Sequence, residues 1–332
     1  MKYPTLAKVA AVLITVALLA ILLSQVDLAD VVTTLVSINP IYLVAGFFLY
    51  TCSYIFRALR FHVLLNREVG LRALFQIVCV HNMVNGILPA RTGELSYIYL
   101  LKKITGRTTG EGIATLVVAR VFDCIAISIL FLSSLSIVGD LPDFIRDCLL
   151  VVIFAMVVMI ISLMGLLYSG RSFLRIMNPL FQVAVIKKLG ISDFLLRKGE
   201  ETVEALDSVA ISKNFCMVLI SSLLIWILNY VVAYVLILGM DIIISPQSVI
   251  LGGTFILLTM ILPIQGIGGF GTTEGIWTLV FVPLGMSLSS AVVSGFGYHI
   301  ILIGYYFLLG VYGLLKLNIY PNLTSLQRRL YL

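Results

Sequence analysis

Apolar runs of about 20 residues recur along this chain, near 6 to 23, 41 to 61, 112 to 138, 147 to 168, 214 to 239 and 289 to 315, with few charges inside them. A helix needs roughly 20 residues to cross about 30 Å of hydrocarbon. Inside lipid the backbone must satisfy its own hydrogen bonds, so runs of this length are expected to be spanning helices. Composition agrees: 61% hydrophobic and 11% charged residues, with a mean hydropathy of +1.12, describe an all-α polytopic membrane protein in which no separate soluble domain fits.

Two further apolar segments, 73 to 101 and 247 to 283, carry Leu88-Pro89 and Leu262-Pro263 where a helix should continue. A proline inside a helix removes a backbone donor and clashes with the preceding turn, and lipid supplies no water in exchange. Such breaks belong where protein or a hydrated cavity surrounds them.

Lysine and arginine set the orientation, because cytoplasmic loops retain them. Lys2 and Lys8 put the N-terminus inside, and the 24 to 40 loop, with Asp27 and Asp30, reads as outside. Arg57, Arg60, Arg67 and Arg72 return the chain to the cytoplasm, where Lys102, Lys103 and Arg107 also lie, so segment 73 to 101 enters and leaves on one side. Residues 139 to 147 hold Asp140, Asp143 and Asp147 against Arg146 and read as outside, while the 169 to 213 connection, with seven Lys/Arg, reads as inside. Segment 247 to 283 lies between Asp241 and an uncharged link, outside at both ends, and Lys316, Arg328 and Arg329 put the C-terminus inside.

The expected architecture is an inverted repeat of helix, helix, re-entrant hairpin, helix: six spanning helices plus two re-entrant hairpins, 73–101 and 247–283. The first repeat covers 1–138 and the second 139–332, and both termini are cytoplasmic in a cell-membrane protein. Secondary transporters are built this way, with the substrate site at the midplane where interrupted helices meet. Eight plain helices with two kinks would also leave the termini on one side, so charge alone does not separate the two.

The start of the chain could also serve as a secretory leader, but Leu22-Leu23-Ser24-Gln25-Val26 lacks a small-x-small cleavage pattern, and a retained first helix is expected. The five cysteines have no paired metal-type spacing and read as packing residues. Segment 171–210 mixes Phe173, Ile176, Met177 and Leu180 at helical spacing with Glu200, Glu201, Glu204 and Asp207. It reads as amphipathic helices on the inner membrane surface or as a cytoplasmic hairpin packed on itself. The net charge of +6 suits anionic lipid heads, and nucleic acid is not needed to explain it.

Within the apolar segments the ionisable residues read as Arg91, Glu94, Arg120, Asp123 and Glu274. Each costs roughly 2.5 to 3.5 kcal/mol or more at the bilayer centre, so each must be paired, hydrated or functional. Arg120 and Asp123 stand three apart on one helix face and suit an ion pair or a clamp on the neighbouring hairpin, with substrate contact second. Arg91 and Glu94 flank the first break. A guanidinium beside unsatisfied backbone donors suits phosphate, although a salt bridge from Arg91 to Glu94 or Asp123 would hold the hairpin shut instead.

The second break is rich in glycine. Gly266, Gly268 and Gly271 formally match a dinucleotide fingerprint, but no acidic residue follows Glu274 anywhere, and no cofactor is expected. What remains is a donor-rich turn in which Gln265, Gly268, Gly269 and Glu274 are the substrate-binding candidates. Glu274 reads as a partner of the helix N-terminus that Thr272 and Thr273 begin, or as a proton carrier. His81, Asn82 and Asn85 lie beside the first break and join the site, while Asn229 and His299 read as interhelical hydrogen-bonding residues. No metal cluster and no nucleophile with a base stand out.

Arg57-Ala-Leu-Arg60-Phe, Leu-Pro-Ala-Arg-Thr-Gly-Glu at 88 to 94, Arg120-Val-Phe-Asp123, Trp226-Ile-Leu-Asn229 and Leu-Pro-Ile-Gln-Gly-Ile-Gly-Gly-Phe-Gly at 262 to 271 together resemble the lysylphosphatidylglycerol synthase/flippase transmembrane family. The resemblance covers most of the chain. That family includes the membrane half of the multiple peptide resistance factor, which moves aminoacylated phosphatidylglycerol between leaflets, and proteins tied to archaeal glycosylation or hopanoid pathways. In the bifunctional factor a soluble acyltransferase domain follows the membrane part, whereas this sequence stops at Leu332. The resemblance therefore implies the transport half and no enzyme.

The expected function is a flippase-like lipid translocase acting on a phospholipid or polyprenyl-phosphate-type lipid through a polar midplane cavity. A second copy of the chain and a separate lipid-modifying enzyme are the protein partners considered. Two other classes stay open: an intramembrane enzyme using Glu94, Asp123 and Glu274 as acid-base groups, and a non-catalytic scaffold for lipid or lipid-linked glycan synthesis.

Overall fold

The computed structural model describes residues 28–87, 93–136, 149–154, 156–161, 211–259 and 269–317, with 146 and 164–165. Both Leu-Pro pairs, Arg91, Gln265, Gly268, the first apolar run, the 171–210 segment and the C-terminal 15 residues lie outside the described residues. The described residues are helical without strands. Besides helical residues at 149–154 and 156–161, they form α1 (Leu28–Ser37), α2 (Pro40–Leu64), α3 (Leu71–Ile87), α4 (Glu94–Thr105), α5 (Thr109–Leu135), α6 (Ile211–Gly239), α7 (Pro246–Thr259), α8 (Thr272–Phe281) and α9 (Leu288–Lys316).

Local sequence explains the boundaries. Asn39 caps α2 by accepting from the Ile41 amide at 3.0 Å, with Pro40 at the first helical position, where its missing N–H costs nothing. Thr108 and Glu111 form a reciprocal capping box on α5: the Glu111 amide donates to Thr108 Oγ1 at 3.1 Å, and the Thr108 amide donates to Glu111 Oε2 at 2.8 Å. α4 stops at Gly106 in the left-handed region, φ 73°. The 24 to 40 stretch, expected as a loop, contains α1, whose Val31 packs with Val292, Val293 and Phe296 of α9.

Segments Pro40–Leu64, Thr109–Leu135, Asn214–Gly239 and Leu288–Lys316 are long and apolar enough to cross a membrane, and they coincide with four of the expected spans. Large apolar side chains stay exposed along them, including Ile41, Val44 and Phe48 of α2 and Phe307, Leu308 and Leu315 of α9, while Arg60, Asp123, Thr254, Glu274 and Ser294 are buried. Polar inside and apolar outside is the arrangement that lipid as solvent demands.

The element order repeats. A 25-residue helix, helices of 17 and 12 residues, and a 27-residue helix are followed, beyond the helical residues 149–154 and 156–161, by helices of 29, 14, 10 and 29 residues. The contacts repeat as well. α2 and α6, the opening helices of the two sets, pack on each other, and each first short helix packs on the closing helix of the other set: α3 on α9 and α7 on α5. Close approach needs small residues, and a Cβ on Gly313 of α9 would stand 2.8 Å from the Gln76 carbonyl oxygen of α3.

Candidate functional site

α2 delivers two arginines into the interior. Read from sequence as markers of the cytoplasmic edge, Arg57 and Arg60 lie inside the helix, Arg57 about 10 Å along it from Leu64 at 1.5 Å per residue. Arg60, only 2% exposed, donates from Nη1 to Asp123 Oδ1 at 2.6 Å and to Ser222 Oγ at 2.9 Å, and from Nη2 to Asp123 Oδ2 at 3.4 Å. Trp226 Nε1 donates to the same Asp123 Oδ1 at 2.8 Å. One carboxylate of α5 thereby ties α2 to α6, and a partner on each side supports its charge in a dry setting.

Arg120, read from sequence as an ion-pair partner of Asp123 or a clamp on the neighbouring hairpin, sits 3.7 Å from Asp123 and makes its tighter contact with Glu94, at the first turn of α4. The Arg120–Glu94 pair is about one-third exposed on both sides. Counting this group, Arg57, Arg60 and Arg120 face Asp123 and Glu94, which leaves one positive charge over. Arg57 lines the cavity described below, and among the described residues its buried Nε, like that of Arg60, has no hydrogen-bond partner.

On α8, Glu274, wholly buried, takes the place of a side-chain cap. The Gly271 amide donates to its Oε2 at 2.8 Å, and its Oε1 meets His299 Nδ1 of α9 at 2.6 Å. The capping role read from the sequence is therefore present. The companion it lacked in sequence is His299, 25 residues on. Gly269 and Gly271, with φ of 80° and 78°, take the left-handed backbone leading into α8 that a side chain would resist. Phe270 lies against the His299 ring at 4.7 Å between centroids.

Between these two centres lies a cavity of about 350 Å³, within the size range of ligand pockets. Its described lining brings together Arg57 of α2, His81, Asn82 and Asn85 of α3, Arg120 of α5, Asn229 of α6, Gly269 and Thr273 beside α8, and His299 of α9, with rings of Tyr50, Trp226, Tyr230, Trp277, Tyr298 and Tyr306. Among the described residues that line it, two carry guanidinium groups and none carries a carboxylate. A smaller pocket of about 20 Å³, with room for about one water, is lined by Arg57, Arg60, His81, Asn82, Arg120 and Asp123, next to the large one.

Of the sequence candidates, Asn82, Asn85, Arg120 and Gly269 line the cavity. Glu94 and Asp123 stand behind Arg120 as its counter-charges, and Glu274 stands behind His299. Arg91, Gln265 and Gly268 lie outside the described residues. Arg57 was missed because arginines after an apolar run read as a loop. The available signal was that Phe61-His62-Val63-Leu64-Leu65 continues the helix beyond them. Asn229 and His299, read as structural, also reach the cavity.

A family model described as the lysylphosphatidylglycerol synthase TM region matches residues 8–310. Among curated proteins, a glycosyltransferase named AglD from Haloferax volcanii is 26% identical over 308 residues, 83% of this chain and 49% of that protein. A UPF0104 membrane protein of Methanocaldococcus jannaschii is 43% identical over 61 residues, 18% of this chain and 26% of that protein. The chain thus spans half or less of the curated relatives' length. No solved structure matches it significantly.

Proposed function

The chain belongs to the lysylphosphatidylglycerol synthase transmembrane-region family, and from that premise we propose that it is a lipid translocase carrying a phosphate-bearing headgroup between leaflets. The observation that carries the reading is the cavity of about 350 Å³ with Arg57 and Arg120 on its lining and no carboxylate among its described lining residues. A charged headgroup loses several kcal/mol or more on entering hydrocarbon. Two guanidiniums on the cavity lining recover part of that loss through charge-assisted hydrogen bonds, while the acyl or prenyl tails remain in lipid.

The repeated order of helix lengths and the exchange of contacts, α3 on α9 and α7 on α5, support an inverted repeat with two re-entrant hairpins. Helices of 10 to 14 residues, as in α4, α7 and α8, are short for a full crossing and suit hairpin arms. In this reading Arg91, Gln265 and Gly268 also bind the headgroup, and one repeat rocks on the other to open the cavity to each face in turn. Arg120 offers the coupling: a phosphate competing with Glu94 for its guanidinium would loosen α4 from α5. The chain sits in a cell membrane with both termini inside, and a lipid-modifying enzyme supplies or consumes its cargo.

A second reading draws on the name of the Haloferax volcanii relative: the membrane part would hold a lipid-linked acceptor for a glycosyltransferase. Exchange assays separate the two. In vesicles of defined lipid, the purified protein should accelerate leaflet exchange of a headgroup-labelled phosphate lipid, recovered chemically unchanged, and Arg57→Gln should slow it at least tenfold. Exchange no faster than in protein-free vesicles, across several phosphate lipids, would remove the translocase.

A further inference from the structure

The carboxylate and imidazole at the α8–α9 wall of the cavity have no task in holding an anion. Glu274 is wholly buried, and among the described residues no lysine or arginine meets it. Its Oε2 accepts from the Gly271 amide at 2.8 Å and its Oε1 accepts from His299 Nδ1 at 2.6 Å, contacts suited to an ionised carboxylate. A carboxylate that holds the Nδ1–H fixes the neutral ring in the tautomer with Nε2 bare. His299 and Gly269 both line the cavity, and a Cβ on Gly269 would stand 3.4 Å from His299 Cε1 and 3.6 Å from Nε2. With glycine there, that edge of the ring is left open beside the cavity. The imidazole therefore stands between a buried negative charge and the space the headgroup enters.

We infer that Glu274 and His299 form a proton-binding site that loads together with the anionic headgroup, so that a proton is the second cargo. The inference deepens the translocase reading and rests on it. Charge balance carries it. Among the described residues of the polar core, Arg57, Arg60 and Arg120 exceed Asp123 and Glu94 by one positive charge. The pair with Nε2 bare carries one negative charge, so core and pair together are neutral while the cavity is empty. An anionic headgroup adds a negative charge that these groups do not balance, and a low dielectric makes the imbalance costly. A proton taken from water onto Nε2 turns the pair into imidazolium and carboxylate, net zero, and restores neutrality. When the headgroup leaves at the other face, the proton returns to water there, so one proton crosses with each headgroup and no bond to the lipid is made or broken.

The other titratable groups around His299 do not offer the same site. His81 of α3 meets the Gly93 carbonyl through Nδ1 at 3.2 Å, an acceptor without the negative charge that would hold an added proton. Arg57 of α2 and Arg120 of α5 are permanent cations. Tyr50 of α2, Tyr230 of α6, and Tyr298 and Tyr306 of α9 are phenols, neutral at physiological pH. Among the described residues α7 brings no titratable side chain to the lining, and α1 meets α9 through Val31 and Leu35. The carboxylate-backed imidazole is the group whose charge can follow the cargo.

The full chain, in nanodiscs of phosphatidylcholine, is titrated with phosphatidylglycerol, whose phosphodiester keeps a single negative charge from mildly acidic to mildly alkaline pH. Affinity and proton uptake are read together, the second with a pH dye in weak buffer. Binding should take up about one proton per lipid at a pH where the empty site is bare. Affinity should be greatest at low pH, where the site is already loaded, and should fall about tenfold as pH rises through the midpoint of the lipid-bound state, the effect of unit charges roughly 10 Å apart at an effective dielectric of about 20. His299→Asn keeps a donor for Glu274 and removes the proton acceptor, so its uptake should vanish and its affinity should no longer depend on pH. Should that variant not fold, histidine NMR of the wild type decides: lipid should raise the titration midpoint of the one ring of three that is bonded to a carboxylate. Affinity indifferent to pH, binding without proton uptake, or uptake undiminished in His299→Asn would overturn the inference. Leaflet exchange is scored separately. Fast exchange unaffected by an imposed pH gradient, with flat affinity, would remove the proton and leave the translocase, whereas proton-linked binding without exchange would remove the translocase and leave the proton site.

Discussion

Replacing Asp123 with asparagine tests the polar core most directly. The carboxylate accepts from both Arg60 Nη atoms and from Trp226, is 3% exposed, and has Arg120 at 3.7 Å. Asparagine keeps one carbonyl oxygen, enough for Trp226 or Arg60, and removes the charge. Breaking a buried ion pair by neutralising one partner costs about 3 to 5 kcal/mol, and the retained acceptor puts Asp123→Asn near the lower end, about 3 kcal/mol. Against a typical stability of about 5 to 15 kcal/mol that is a large loss. Arg60→Gln should cost a similar amount, because it strands the carboxylate. The double variant should lose far less than the sum, with a coupling of about 2 to 3 kcal/mol. Arg120→Gln should be milder, about 1 kcal/mol, since its pairing with Glu94 is partly exposed, and should couple to Asp123→Asn more weakly than Arg60→Gln does, Asp123 being 3.7 Å from Arg120 against 2.6 Å from Arg60. The assay is equilibrium unfolding in mixed micelles, followed by Trp fluorescence and by circular dichroism. Strong coupling of Asp123 to Arg120 with none to Arg60 would refute the Arg60–Asp123 pairing.

Glu274→Ala should lower stability by about 1 to 2 kcal/mol through loss of the α8 cap, with Glu274→Gln retaining more of it, because the amide oxygen can still accept from Gly271. Equal losses in thermal melts would count against the cap. Gly93→Ala should destabilise by about 1 to 3 kcal/mol through overpacking, since a Cβ there runs into the Asn85 backbone, and leaflet exchange should slow with it. A wild-type melt would contradict that packing. Gly313→Leu should separate α3 from α9 at a similar cost, whereas Gly304→Ala, with nothing within 4 Å of the added carbon, should melt within about 0.5 kcal/mol of wild type. Equal melts for those two variants would refute the close contact at Gly313.

The sequence by itself determined the class of fold and the length of its parts. Apolar runs in a medium without water leave the backbone one solution, so the spans at 40–64, 109–135, 214–239 and 288–316 were legible to within a few residues. Capping was legible too, because Glu274 acts on its own helix start, three residues away. Family membership was carried by short motifs at their own positions. Partnerships between distant residues were not legible. Arg60 finds Asp123 at a separation of 63 residues and Ser222 at 162, and Glu274 finds His299 at 25. Periodicity along one helix cannot say which neighbour a side chain will meet, so the spacing of Arg120 and Asp123 pointed to the weaker of Asp123's contacts. Tertiary packing also decided that Arg57 faces a cavity instead of the aqueous edge. α2 is held by α6 along its length and continues past its arginines. Charge is stable there because the bundle, and not the adjacent sequence, supplies the polar surroundings.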